Sequence, residues 1–192
     1  DKYNLLYNLI NEPKAERIMV FSNRRDQVRK LADNLHRNGI SVGMLSGEVA
    51  QNQRIRTLDN FKEGKLQVLV ATDVAGRGLH IDDVTHVINY TLPEEPEDYV
   101  HRIGRTGRAG REGKAILFVA PRERRMLSNI ERVTKQKIQQ IDLPSLADID
   151  AKARARLLDQ LKSGMSRPAH PRANEAIEQL INDGHTHRDI SM

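Results

Sequence analysis

Cysteine and tryptophan are absent from this 192-residue sequence, and aromatic residues make up only 4% of it. Without cysteine there is no disulfide and no thiolate metal site, which fits a reducing compartment. The scarcity of aromatics argues against a module that reads nucleic acid by stacking bases on exposed rings. No apolar run approaches the eighteen or so residues of a membrane span, and no signal peptide opens the chain, so no membrane partner and a cytoplasmic location are expected. The first residue is Asp1 rather than Met, and a fragment of a longer protein is expected. Also missing is the phosphate loop Gly-x-x-x-x-Gly-Lys-[Ser/Thr]. Gly110-Arg-Glu-Gly-Lys-Ala115 comes near it, but its glycines are too close and Ala115 has no hydroxyl for a magnesium ion.

What is present is charge. Charged residues are 30% and hydrophobic residues 38% of the chain, enough for one ordinary core under a heavily charged surface. The net charge is +5, and residues 145–192 hold seven basic and seven acidic residues, so the excess lies wholly in residues 1–144. A basic domain points to a polyanionic partner, most simply a nucleic acid.

Strand-like and helix-like segments alternate in short steps. Arg17–Phe21, Ser41–Leu45, Leu66–Ala71, Thr85–Tyr90 and Ala115–Ala120 are apolar runs that read as buried strands. Asp26–Arg37, Gln51–Lys62, Glu94–Arg102 and Glu123–Lys135 carry apolar residues at helical spacing. Alternation of this kind predicts an α/β fold, a parallel sheet with helices on both faces. In such sheets ligands sit at the carboxyl ends of the strands, which directs attention to loops 22–25, 46–51, 72–81 and 104–113.

One of those loops is unusual. From Tyr99 to Gly113 the chain reads YVHRIGRTGRAGREG, with Arg at 102, 105, 108 and 111 and no acid before Glu112. The period is too short, and too poor in proline, for collagen. A solvated basic loop and an anion site remain, the latter with arginine forks aimed at phosphate and glycines allowing close backbone approach.

The residues around that loop resemble a family. Ala71-Thr-Asp-Val-Ala-Gly-Arg-Gly-Leu-His-Ile81 is similar to motif V of the DEAD-box RNA helicases, and Tyr99–Arg108 to their motif VI. Val20-Phe-Ser-Asn-Arg-Arg25 resembles motif IV, and Gly47–Arg54 the Gly…Gln-x-x-Arg segment that follows it. The resemblance covers residues 1 to about 143 and implies the second of two RecA-like domains, with ATP and RNA bound in the cleft between them. It implies that Arg105 and Arg108 reach the γ-phosphate, where arginine stabilises charge developing in phosphoryl transfer. It implies that Gly78 and the position of His80 meet the nucleotide, and that Arg24 or Arg25, Gly47, Gln51, Arg54 and Thr72 face RNA. Asp73, Arg77 and His101 become interdomain or coupling contacts. His80 stands where the family usually has an aspartate that bonds the ribose; an imidazole can donate or accept a hydrogen bond but is not a carboxylate. Several of these residues also have plain structural readings: Asp73 as a helix N-cap, Gln51 and Arg54 as a solvated helical turn.

Cofactor expectations follow from the same resemblance. ATP is shared with a first domain that this chain lacks, and Mg2+ is held by that domain; no metal site is expected here. His170, His185 and His187 have none of the usual zinc spacings. The boundary is placed at 144/145. Residues 145–192 are read as a helical extension: either the start of the dimerisation module found in some larger cold-shock-type bacterial members, giving a homodimer, or helices packed back on their own core. A second overall reading stays open, an RNA- or partner-binding assembly module without turnover of its own.

Overall fold

Ile18–Phe21 is apolar at every position and buried at every position, the pattern of a strand covered on both faces. It forms β1, the central strand of a computed structural model that describes residues 2–76, 81, 84–107 and 112–141, together with 151, 154, 155, 158, 162, 179 and 182. Beside it run β2 (Val42–Leu45), β3 (Val68–Ala71), β4 (His86–Asn89) and β5 (Lys114–Leu117). The sheet has the order β2-β3-β1-β4-β5, and every ladder is parallel. Registers run straight across, with Phe21 beside both Ala71 and Asn89, and Leu45 beside Ala71. Leu117 stands beside Asn89, so all five strands end level and their following loops share one edge of the sheet.

Alternation along β1 sorts the core into two layers. Ile18 and Val20 pack with Leu6 and Ile10 of α1 (Lys2–Ile10) and with Val28, Leu31 and Leu35 of α2 (Arg25–Arg37). Met19 and Phe21 pack on the other face with Phe61 of α3 (Gln51–Lys62) and Ala75 of α4 (Asp73–Gly76). A third cluster joins Tyr99 of α5 (Pro96–Ile103) to Ile130 of α6 (Arg124–Thr134), with Leu92 between the loops. Parallel strands with helices on both faces are the architecture the sequence predicts, and it is the RecA-like fold.

Several boundaries differ from the sequence reading by one to three residues, and one helix goes unassigned in it; three of these differences have a clear physical reason. The chain starts with a helix, α1, where that reading assigns nothing; its signal is Leu6 and Ile10 four residues apart, fully buried. Helix α5 begins at Pro96, since proline suits the first helical position and Glu95 is extended. Strand β5 stops at Leu117 because its partner β4 stops at Asn89, and Phe118 gives only one further bond, N–H to Asn89 O at 3.0 Å.

Two compact units divide the chain, Asp1–Gln139 and Gln140–Met192. In the second, Ala151, Arg154, Ala155, Leu158, Lys162, Gln179 and Asn182 are helical.

Candidate functional site

The level strand ends carry buried polar groups. Ser22, Ser46 and Thr72 follow β1, β2 and β3 directly, and Asn89 ends β4; all four are buried. Polar groups are costly to bury unless bonded, so their partners describe what the edge is built to hold. Ser22 Oγ donates to Gln27 Oε1 at 2.5 Å. Thr72 Oγ1 accepts from the Ala75 N–H at 3.4 Å, which makes Thr72 the cap of α4. The N-cap expected of Asp73 is thus supplied by its neighbour, and Asp73 is free for another use.

That use is Arg102. Its side chain is 1% exposed, the largest fully buried one among the described residues. All five guanidinium N–H donors are accounted for. Nε and Nη2 grip Asp73 at 2.5 and 2.6 Å; Nη2 also meets Asn23 Oδ1 at 2.7 Å. Nη1 donates to Asn89 Oδ1 at 3.0 Å and to the Thr91 carbonyl at 2.8 Å. The Phe21 ring lies beneath, 5.4 Å from the guanidinium carbon. A fork with every donor satisfied has none left for a ligand. The anion of Arg102 is therefore internal to the domain. That anion comes from motif V, not from the other domain, and Asp73 is an intradomain partner.

Asn23 extends the network. Its N–H donates to Thr91 Oγ1 at 2.9 Å, its Nδ2 to Leu92 O at 2.9 Å, and its Oδ1 accepts from Thr91 Oγ1 at 2.8 Å. The loop after β1, the end of β3 and the segment after β4 are thus tied to one side chain of α5.

Beside the saturated Arg102 lies a cavity of about 250 Å³, lined by Phe21, Asp73, Gly76, Asp98, His101, Arg102 and Arg105. Helical spacing puts Asp98, His101 and Arg102 on this side of α5, and the turn after the helix brings in Arg105. The backbone there is fastened. The Arg105 carbonyl accepts from Val84 N–H at 3.4 Å, Thr106 Oγ1 donates to Val84 O at 2.5 Å, and Gly104 N–H reaches Val100 O at 2.9 Å. Gly107 then turns the chain at φ 68, in the left-handed region that glycine tolerates. On the adjoining flank of α5, burial pushes the Tyr99 phenol up from its ordinary value.

The second group of expected residues lies along β1, β2 and β3. Helix α3 sits close on β2 because Gly43 has no side chain: a Cβ there would stand 2.6 Å from Thr57 Cγ2 and 2.8 Å from Leu66 Cδ1. This approach sets Arg54, whose Nη2 donates to the Ala75 carbonyl at 2.7 Å and so touches α4. Gln51 is exposed, and Gly47 is exposed with open space around it. Arg24 pairs with Asp26 at 3.0 Å and Arg25 with Glu48 at 3.1 Å, both pairs exposed. Exposed pairs of this type contribute little, so either arginine can be exchanged onto another anion. Arg77, Gly78, His80 and Arg108 lie outside the described residues.

Arg105, His101 and Asp73, singled out from the sequence, line one cavity, while Arg102, Asn23 and Asn89 were given no role by sequence reasoning. For Arg102 a signal existed. It falls three residues after the buried Tyr99, and an arginine in phase with a buried position needs internal partners.

The sequence pattern of the helicase conserved C-terminal domain matches residues 1–110. The ATP-dependent RNA helicase RhlB of Pseudomonas putida is 58% identical over 139 residues, 72% of this chain and 35% of that protein. The ATP-dependent RNA helicase DeaD of Mycobacterium tuberculosis is 36% identical over 191 residues, 100% of this chain and 33% of that protein. Among solved structures, E. coli DEAD-box protein SrmB, bound to regulator of ribonuclease activity A, superposes with a TM-score of 0.68 at 39% identity, covering 77% of this chain and 85% of that one. The chain thus spans about a third of the length of these curated relatives. Motifs, sheet order and relatives agree: the chain belongs to the DEAD-box RNA helicases and is their helicase C-terminal domain.

Proposed function

We propose that this chain is the second motor domain of an ATP-dependent RNA helicase. Together with a first RecA-like domain it binds ATP and single-stranded RNA in the cleft and couples hydrolysis to duplex separation in the cytoplasm. The observation that carries the proposal is the contrast between Arg102 and Arg105. One is saturated inside the domain; the other lines the cavity from a fastened turn.

The residues present fit a triphosphate. Asp73 would repel one, but its carboxylate is already held by Arg102, and Arg105 brings a guanidinium to the wall that Asp98 and His101 share. ATP supplies the γ-phosphoryl group. Arg105, with Arg108, stabilises charge on the transferred oxygens, an effect of roughly 10³–10⁵ in rate where an arginine finger has been measured. Gly78 and His80 are assigned to the nucleotide and ribose, and Mg2+ to the first domain. Arg24, Arg25, Gly47, Gln51, Arg54 and Thr72 hold the RNA backbone, positioning the strand without reading its sequence. His101, Arg77 and Asp73 connect the two sites. Arg54 supports such a connection, since it touches the carbonyl of Ala75 in the segment that begins with Asp73. The domain boundary is taken at 144/145, with residues 145–192 as a helical module that supports a homodimer.

The test is steady-state ATP hydrolysis by the chain extended through its first domain, with and without RNA, as wild type and Arg105→Ala. RNA-stimulated turnover that collapses in the variant supports the proposal. Retained RNA binding without turnover in either form replaces it with an assembly module. The chain by itself is expected to show neither hydrolysis nor unwinding.

A further inference from the structure

Helix α6 carries a surface that the cleft does not use. Residues 121–138 hold six basic residues, Arg122, Arg124, Arg125, Arg132, Lys135 and Lys137, against two acids, Glu123 and Glu131. Both acids are spent on the fold. Glu123 accepts from the Ala120 N–H at 2.7 Å and lies 3.9 Å from Lys2. Glu131, only 17% exposed, accepts from the Ile138 N–H at 2.9 Å and meets Lys137 at 3.5 Å. The bases point the other way: Arg122, Arg124, Arg125, Arg132 and Lys135 are all exposed, and no acid among the described residues pairs with them. Ordinary surface helices intersperse the two signs; this one sorts them, acids in and bases out.

Geometry makes the sorted face continuous. Ile130 is buried against Tyr99 and Leu92, which fixes the inward side of α6. Arg125 and Arg132 are seven residues apart, two turns along the outward side and about 10 Å. Asn129 lies between them, and its Oδ1 accepts from Arg132 Nη2 at 2.8 Å, so that guanidinium is held in place. No aromatic residue stands on this helix, and its exposed apolar side chains, Met126 and Val133, flank the basic row. A protein-docking face is normally built on buried aromatic or aliphatic anchors. A row of arginines without anchors or acids is the footprint of a phosphate backbone.

Position separates this face from the cleft. Helix α6 follows β5, at the opposite edge of the sheet from β2. It packs on the Tyr99 side of α5, whereas Asp98 and His101 line the cavity from another side.

We infer that the outward face of α6 is a second, sequence-independent RNA-binding surface. Resting on the helicase proposal above, it would grip the backbone of a duplex arm that continues beyond the single strand in the cleft.

The experiment uses the full-length protein and two fluorescein-labelled RNAs: a short single strand that fills only the cleft, and the same strand joined to a duplex arm. Affinity is read by anisotropy across a salt series, without nucleotide, for wild type, for Arg124→Gln/Arg125→Gln/Arg132→Gln, and for the matching triple Lys variant. The Gln variant should bind the armed RNA roughly ten-fold more weakly, its salt slope reduced by about 2 to 3. It should bind the short strand as wild type does, and the Lys variant should recover the armed RNA. The three side chains are exposed, so an unchanged melting temperature serves as the folding control. Equal affinity of wild type and Gln variant for the armed RNA overturns the inference and leaves the face to an acidic protein. Equal weakening on both RNAs overturns it too, since the effect then acts through the cleft. Absence of RNA-stimulated ATP turnover in the wild type would sink the helicase proposal while leaving this binding result standing.

Discussion

Arg102 and Asp73, twenty-nine residues apart in sequence, meet through two hydrogen bonds of 2.5 and 2.6 Å. The arginine is 1% exposed and the aspartate 20%. Removing one member of a buried pair leaves an uncompensated charge, which costs about 3–5 kcal/mol. Arg102→Met should therefore lower unfolding stability by about that amount in urea titration. Arg102→Lys should recover little, because an ammonium has three donors and no planar fork for five acceptors. A loss under about 1 kcal/mol for the Met variant would show that the network is not what holds the three loops together.

Arg54 has one foot on the Ala75 carbonyl and is assigned to the RNA. Arg54→Gln in the two-domain protein should raise the KM for RNA in ATP turnover and reduce the salt slope of RNA binding by about 1. If kcat at saturating RNA also falls sharply, the residue couples the two sites as well as binding. An unaltered KM would remove it from the interface.

Gly43 lets α3 lie against β2. Adding a methyl there puts carbon 2.6 Å from the Thr57 methyl, so Gly43→Ala should cost about 1–3 kcal/mol. Thr57→Ser deletes that methyl and should return part of the loss, measured as a double-mutant cycle. Simple additivity would mean the helix shifts rather than resists.

His86 is buried on β4, opposite Ile18 of β1 and Lys114 of β5, and its Nε2 has no partner among the described residues. Nδ1 lies 3.0 Å from Thr85 Oγ1. Burial, and then Lys114, hold its pKa below the ordinary 6.5, with Glu12 opposing. On acidification the unfolded chain takes up this proton first, near 6.5, while the folded chain resists it. Stability should thus fall as the pH drops below 6.5, down to the folded pKa, and be unaffected above it. His86→Val should flatten that part of the pH dependence in urea midpoints. An identical slope in both proteins would assign the acid sensitivity to other groups.

Much of this molecule could be read from its residues, and the reasons are specific. Ile18–Phe21 and Val68–Ala71 are buried on both faces, so their apolar runs left little choice but a parallel sheet. Arg105 was singled out through its motif and lines a cavity at the strand ends, where such sheets are expected to have one. Arg102 was not found, since its role depends on Asp73, Asn89 and Asn23 converging from three other segments. Nothing local marks such a convergence except an arginine in phase with Tyr99. The sorting of charge on α6 was hidden for the same reason: the sequence shows six bases and two acids, but only the fold shows the acids turned inward and occupied.

The turn at Arg105 has one more consequence. Its carbonyl is fastened to Val84 and its neighbour Thr106 closes a bridge to the same residue. A backbone fastened in this way has little disorder left to surrender to any ligand. Ordering a free residue would take about 1–2 kcal/mol from the binding energy. At this turn the hydrogen bonds to Val84 have met that cost during folding, so a ligand reaching the Arg105 side chain would have only side-chain rotamers left to order.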